Sequence, residues 1–253
     1  MSLQKNKSMK AIVSAVLLGL AASASADYGV SIGTYNGEYK KGAKANISIG
    51  PAYRGDKFNI DRGVFSYDFL DSNQIGLEAV LSSKNGGYKS GDHKTFKGMD
   101  KRKASVDAGA RAIIDTGTFL GSAVVDVTKD FRLSHGISAD MKLGGVSPHA
   151  PHWTGEKTFY VVPTAGVRYD SKKTVDYFYG VKASEATSNR KAYKGKSSFS
   201  PYIGVEGQAN LSQHFTVNGS VRVMKRGNGI RNSPLTSNKK YQGVAELGLT
   251  YWF

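Results

Sequence analysis

The sequence contains no cysteine, few prolines and no apolar run long enough to form a transmembrane helix. A chain without cysteine has no disulfide bonds, so its stability must come from a core, a partner or a surrounding bilayer. The most apolar stretch, residues 11–22, is shorter than the roughly 20 residues that a spanning helix requires. Glycine and tyrosine, in contrast, occur 30 and 14 times. Together with the absence of an extended helical period, they indicate β-strands joined by turns.

The amino-terminal 26 residues have the features of a secretory signal. Three lysines precede the apolar stretch 11–22, and an Ala-Ser-Ala sequence ends at Ala26. This order is typical of a signal peptide that is cleaved on export, whereas a retained anchor is the alternative. We therefore predict a cleaved signal over residues 1–26 and one domain over residues 27–253.

The last stretch, Tyr241 to Phe253, alternates between apolar and polar residues. The odd positions carry apolar or aromatic side chains, and the even positions include Gln242, Glu246 and Thr250. A two-residue period puts alternate side chains on opposite faces, which only a β-strand does. An aromatic residue at the carboxyl terminus is also typical of a membrane interface.

The same alternation recurs along the mature chain and predicts twelve strands. Segments of about ten residues with one apolar face, joined by turns, are typical of outer-membrane barrels. A soluble β-sandwich also alternates, but it gives no reason for the aromatic residues at strand ends: Tyr53, Phe69, Tyr169, Phe199, Tyr251 and Phe253. We predict an all-β fold, an antiparallel transmembrane β-barrel of about 12 strands in the outer membrane. Ten strands is the alternative if 58–62 and 63–70 form one bent strand.

The lengths of the connections assign the two ends of this barrel. Long links, 84–101, 170–197 and 227–240, are expected outside, and tight turns at 115–117 and 212–213 are expected in the periplasm. The link 147–156 is too long for an ordinary periplasmic turn. We predict that its residues His149, His152 and Trp153 contact a periplasmic partner. The spacing of the two histidines resembles that of metal ligands, but the surrounding prolines favour a turn, and we predict no metal site.

The formal net charge of +15 is expected to concentrate in the outer loops. Charged side chains of both signs occur at predicted lumen positions, and side chains of opposite charge on neighbouring strands should pair. The acidic ones are Glu78, Asp107, Asp126, Asp140, Glu206 and Glu246, and the basic ones are Arg111, Lys142, Arg168 and Arg222. The surplus of positive charge lies in two of the predicted outer loops. The first contains Lys84, Lys89, Lys94, Lys97, Lys101, Arg102 and Lys103, and the second contains Lys182, Arg190, Lys191, Lys194 and Lys196. Such loops would contact the phosphates of lipopolysaccharide among the outer-membrane lipids, or form only a solvated surface. Export argues against nucleic acid as a partner.

Several short motifs, in order from residue 50 onward, resemble the MipA/OmpV family of outer-membrane proteins. They are Gly50-Pro51-Ala52-Tyr53-Arg54-Gly55-Asp56, Gly91-Asp92-His93, Met99-Asp100-Lys101-Arg102, Asp176-Tyr177-Phe178-Tyr179-Gly180-Val181 with Glu185, Ser200-Pro201-Tyr202 and Ser233-Pro234. The resemblance implies an outer-membrane barrel and, from the founding member, a scaffold for a murein transglycosylase and a murein synthase. Other members are described as porin-like or adhesive. Two departures are Phe178, where the family has tyrosine, and basic residues in a last loop that is acidic in relatives.

No oriented nucleophile or acid–base pair is evident, so we predict no enzyme, no catalytic residues and no cofactor. The aromatic segment Asp176, Tyr177, Phe178, Tyr179 and Gly180 is the most unusual loop sequence. It could fold into the barrel mouth as a constriction or extend a strand as an aromatic girdle, and we favour the constriction. The predicted function is a scaffold for murein-remodelling enzymes at the cell envelope. The alternative is a small-solute, porin-like channel or a surface-contact protein.

Overall fold

A computed structural model of the protein describes residues 26–35, 46–72, 74–84, 86–147, 150, 153–236 and 239–253. The predicted signal, apart from Ala26, lies outside these ranges. So do His149 and His152 of the predicted partner contact.

Twelve antiparallel strands in the described residues form one closed barrel. The strands are β1 (Asp27–Tyr35), β2 (Asn46–Arg54), β3 (Phe58–Asp61), β4 (Val64–Asp71), β5 (Ile75–Ser82), β6 (Asp107–Asp115), β7 (Ser122–Asp130), β8 (Ile137–Gly144), β9 (Thr158–Asp170), β10 (Ser198–Ser212), β11 (Phe215–Lys225) and β12 (Tyr241–Trp252). Each strand pairs with its sequence neighbours, and β1 pairs with β12 to close the barrel. The predicted fold class and the count of twelve are confirmed, and the alternative of ten strands is excluded.

The alternation of β12 shows how the wall is built. Leu247 and Leu249 point outward and are 60% and 39% exposed, whereas Thr250 and Trp252 point inward and are buried. The barrel closes where Ile32 of β1 lies opposite Leu249. A continuous outer surface of exposed leucine, isoleucine, valine and phenylalanine side chains is unstable in water but matches the hydrocarbon of a bilayer.

The β3–β4 hairpin is much shorter than its neighbours. Arg62 and Gly63 both have positive φ, 46° and 78°, as a two-residue type I′ turn requires. Only Tyr53 and Arg54 of β2 pair with β3. The aliphatic part of the Arg62 side chain extends across the inner wall to the position where Gly248 of β12 carries no side chain. The prediction that 58–62 and 63–70 form two strands and not one bent strand is therefore correct.

The connections at one end are short, and those at the other end carry extra structure. The long loops contain two α-helices, α1 (Lys172–Tyr179) and α2 (Asn228–Arg231), and three 3₁₀ turns, Lys94–Phe96, Ala183–Glu185 and Pro234–Thr236. The β6–β7 turn is longer than predicted, because β7 begins at Ser122 and leaves Phe119 in the turn, 81% exposed. No helix in the described ranges is long and apolar enough to cross a membrane.

Candidate functional site

Three outer loops pack together into one unit, which we call the cap: the described residues of 83–106, 171–197 and 226–240. One apolar cluster draws on all three loops and consists of Tyr88, Phe96, Met99, Val181 and Leu235. The rings of Tyr88 and Phe96 stack with centroids 4.3 Å apart, and burial raises the pKa of Tyr88 to about 12. The cap thus has its own small core.

The cap crosses the outer mouth of the barrel. The β5–β6 and β11–β12 loops leave the barrel on opposite sides, because four strands separate them in either direction around the wall. Leu235 of the second loop nevertheless packs in one cluster with Tyr88 and Phe96 of the first. Loops rooted on opposite sides can meet only by spanning the opening between them.

A buried ion pair joins two loops of the cap. Arg102 donates to the Glu185 carboxylate at 2.9 Å, and the two side chains are only 6% and 3% exposed. Burial disfavours the charged carboxylate, yet the backbone amides of Lys182 and Asp100 and the Arg102 guanidinium hold the pKa of Glu185 below its usual range. Glu185 is therefore a charged anchor to which both loops bind.

Arg190 supports the same junction. This buried guanidinium donates to the carbonyl oxygens of Thr95 at 2.6 Å, Lys97 at 3.1 Å and Glu185 at 2.5 Å. The sequence placed Arg102 and Arg190 among the loop cations available to lipid phosphates. That prediction is wrong for both, because their charges are used inside the cap.

The predicted constriction residues lie at the end of α1. Phe178 is fully buried and Tyr179 nearly so, in a second apolar cluster with Val175 and Ile230. Burying such a side chain completely contributes about 1.5–3 kcal/mol relative to leaving it exposed. The segment is helical and does not extend β9 as a strand. That it narrows the path into the lumen stays a prediction.

Polar contacts fix the rest of this segment. Asp176 accepts a hydrogen bond from the Gly195 amide at 2.7 Å, and the Tyr179 carbonyl accepts one from the Ser233 hydroxyl at 2.6 Å. Gly180 follows the helix as its carboxyl cap. Tyr177 is the one ring of the segment that is only partly buried, and its carbonyl accepts from Arg102 at 3.0 Å.

The lumen contains ion pairs across neighbouring strands, as the sequence predicts. Arg111 of β6 donates to Glu78 of β5 and to Asp126 of β7, both at 3.1 Å. Lys84 also donates to Asp126 at 3.1 Å, so it belongs to the lumen and not to the predicted surface charge of the first loop. Glu78 and Asp126 are 2% and 6% exposed.

A second group of charges lies farther around the wall. Lys142 of β8 donates to both carboxylate oxygens of Glu206 on β10 at 2.9 Å, reaching past β9. Tyr202 donates to Asp140 at 2.7 Å. Arg222 and Glu246 are 3.7 Å apart and more exposed. These pairs join side chains of neighbouring and next-neighbouring strands on the inner face of the wall.

The periplasmic mouth is also crossed. Arg54, at the end of β2, donates to the carbonyl of Ala150 at 2.8 Å and lies 5.8 Å from the ring centroid of Trp252. Ala150 belongs to the link between β8 and β9, and four or five strands separate that link from β2 around the wall. Trp252 is buried and donates to Thr216 at 3.2 Å. Ala150 is therefore held beside Arg54 at this mouth, and Trp153 of the same link is partly exposed.

The sequence matches a family profile described as "MltA-interacting protein MipA" over residues 8–253. The chain belongs to the MipA family. Its relatives include outer membrane protein OmpV of Vibrio cholerae serotype O1, 29% identical over 188 residues that cover 74% of this chain and 70% of the relative. The MltA-interacting protein of Escherichia coli K12 is 29% identical over 169 residues, which cover 65% of this chain and 62% of the relative.

This MipA-family member is an outer-membrane protein, as the relatives and the barrel both indicate. Among solved structures, the outer membrane protein OprG of Pseudomonas aeruginosa matches with a TM-score of 0.28 and 12% identity, covering 90% of this chain and 95% of OprG. The family profile and the relatives confirm the predicted family and localisation, and the closed barrel confirms the predicted fold class. Within the described residues no group of three or more histidine, aspartate or glutamate side chains could hold a metal ion.

Proposed function

We propose that the protein is a scaffold in the outer membrane that captures a murein transglycosylase of the MltA type and, with it, a murein synthase. The observation that carries the proposal is the Arg54–Ala150 hydrogen bond, which holds the β8–β9 link across the periplasmic mouth. This bond fixes Ala150, in the middle of the link, to the periplasmic end of the barrel, where the link would meet a partner on the murein side. The name of the Escherichia coli relative, MltA-interacting protein, supports the choice of partner.

The arrangement of the lumen supports a scaffold more than an open pore. The cap packs across the outer mouth, Ala150 is bound to Arg54 at the other, and the opposite charges inside pair with one another. A porin keeps a water-filled path through its interior, whereas several ion pairs, some of them buried, line this one. The barrel then serves to fix the link in the membrane.

Replacing Trp153 with alanine is expected to weaken capture of the transglycosylase at least about tenfold, because buried tryptophans commonly dominate protein interfaces. The measurement is binding of purified transglycosylase to the refolded barrel in nanodiscs. Phe119→Ala is the matched control, since Phe119 is an exposed aromatic residue in the β6–β7 turn at the same end. Capture that is undiminished by Trp153→Ala, or equally diminished by Phe119→Ala, contradicts a contact through this link.

A small-solute channel is the second candidate, and one observation favours it. The side chains of Arg62 and Glu246 are 45% and 42% exposed, although both lie on the lumen side of the wall. Water therefore reaches this part of the interior. A narrow path along β12 would make the cap a gate, and conductance distinguishes this function from a closed scaffold.

A further inference from the structure

A wide cleft opens on the outer face beside the cap. Its volume is about 1010 Å³, and its walls come from the β5–β6 loop, the β7–β8 turn and the β9–β10 loop. Tyr177 contributes a partly buried ring to its lining, next to Gly180 and Val181. A cleft of this size is at the upper end of the range for small-molecule sites and holds far more than a single ion.

The lining of the cleft is cationic. Lys101, Lys173 and Lys194 line it, and all three are exposed. Where the structure describes the chain, none of these three lysines makes an ion pair. The two other cations of the lining are already paired, Arg102 with Glu185 and Lys182 with Asp100. The lining thus holds five cationic side chains against two carboxylates, Asp100 and Asp176, and keeps a positive excess.

The first turn of α1 adds to this excess. It carries Lys172 and Lys173 and no acidic residue, and the N-cap Ser171 makes no capping hydrogen bond from its side chain. The amino end of a helix is itself partly positive, so lysines there are electrostatically unfavourable. An anion bound near Lys173 would relieve this repulsion. The Asp176 carboxylate lies in the same lining and accepts from the Gly195 amide, so it offsets part of this positive charge but not all of it.

We propose that this cleft binds a phosphorylated saccharide. Lys101, Lys173 and Lys194 would hold the phosphates through charge-assisted hydrogen bonds, and the Tyr177 ring would contact a sugar face. The volume favours a saccharide of several units over inorganic phosphate. The same chemistry occurs in a phosphorylated lipid headgroup of the outer leaflet and in a soluble phosphorylated glycan. The site is independent of the periplasmic link and of the proposed scaffold function.

The test is a titration of the refolded barrel with the soluble phosphorylated core oligosaccharide of lipopolysaccharide. The variant replaces Lys101, Lys173 and Lys194 together with glutamine. Its matched control replaces Lys89, Lys97 and Lys191, which are exposed lysines of the same cap outside the cleft. Heat-shifted gel mobility verifies that each barrel has folded. We expect the cleft variant to bind at least about tenfold more weakly, and the control to change by less than about threefold.

Three comparisons complete the test. The dephosphorylated oligosaccharide is expected not to bind. If the barrel binds intact lipopolysaccharide in nanodiscs more tightly than the soluble oligosaccharide, and the difference depends on the three lysines, the natural ligand is the membrane lipid. If the two affinities are equal, the natural ligand is the free glycan. The proposal is overturned if the dephosphorylated sugar binds equally well, if inorganic phosphate binds as tightly as the oligosaccharide, or if the control variant loses as much affinity as the cleft variant.

Discussion

Replacing Arg111 with alanine is expected to lower the free energy of unfolding of the barrel by about 3–5 kcal/mol. Arg111 donates to Glu78 and to Asp126, and both carboxylates are almost completely buried in the lumen. Removing the guanidinium takes its charge away from both carboxylates, while Lys84 still donates to Asp126. The measurement is equilibrium unfolding by urea of the barrel refolded in lipid vesicles.

Arg222→Ala is the control for this expectation. Arg222 is also a lumen arginine beside a carboxylate, but its partner Glu246 is 3.7 Å away and the two side chains are 30% and 42% exposed. Water can solvate the Glu246 carboxylate that remains after the substitution, so the pair contributes only about 0–1 kcal/mol to the stability of the barrel. Equal losses in the two variants would contradict the view that burial decides the effect.

Replacing Arg102 with alanine is expected to open the cap while the barrel stays folded. Glu185 is 3% exposed and depends on this guanidinium, so breaking the pair costs about 3–5 kcal/mol of local stability. The β5–β6 and β9–β10 loops stay joined by Arg190, which donates to the Thr95 and Lys97 carbonyls, so we expect the cap to loosen first around Glu185. Hydrogen exchange of the Lys182 and Asp100 amides, which bond to Glu185, measures the effect directly.

Lys182→Ala provides the comparison within the same pair of loops. Lys182 donates to Asp100 at 2.7 Å, but these side chains are 61% and 63% exposed. We expect little change in exchange, because an exposed pair is screened by water and salt. Unchanged protection in Arg102→Ala would contradict the view that the Arg102–Glu185 pair holds this junction together.

The wall and the lumen charges could be predicted from the sequence because both follow a two-residue period. Once β5, β6 and β7 are recognised as neighbours, the inward positions of Glu78, Arg111 and Asp126 follow from alternation. The register then brings these three side chains side by side. The alternation of residues and the order of the strands were therefore sufficient to predict this group of charges.

The cap could not be predicted in the same way. Its core joins residues far apart in sequence, such as Tyr88 and Leu235, and no period marks them. Arg102 and Arg190 resemble surface cations until Glu185 and the carbonyls that accept from Arg190 are brought beside them. The Arg54–Ala150 hydrogen bond likewise depends on the closed barrel, which brings the ends of distant strands together.

The central claim is that this barrel is crossed at both mouths and acts as a membrane-fixed scaffold. Single-channel conductance of the refolded mature protein in a planar bilayer tests it most directly, with heat-shifted gel mobility verifying the fold. We expect no discrete current steps from the folded barrel. Discrete, reproducible steps would contradict a closed lumen, assign a channel function, and direct attention to the Tyr177–Tyr179 segment of the cap.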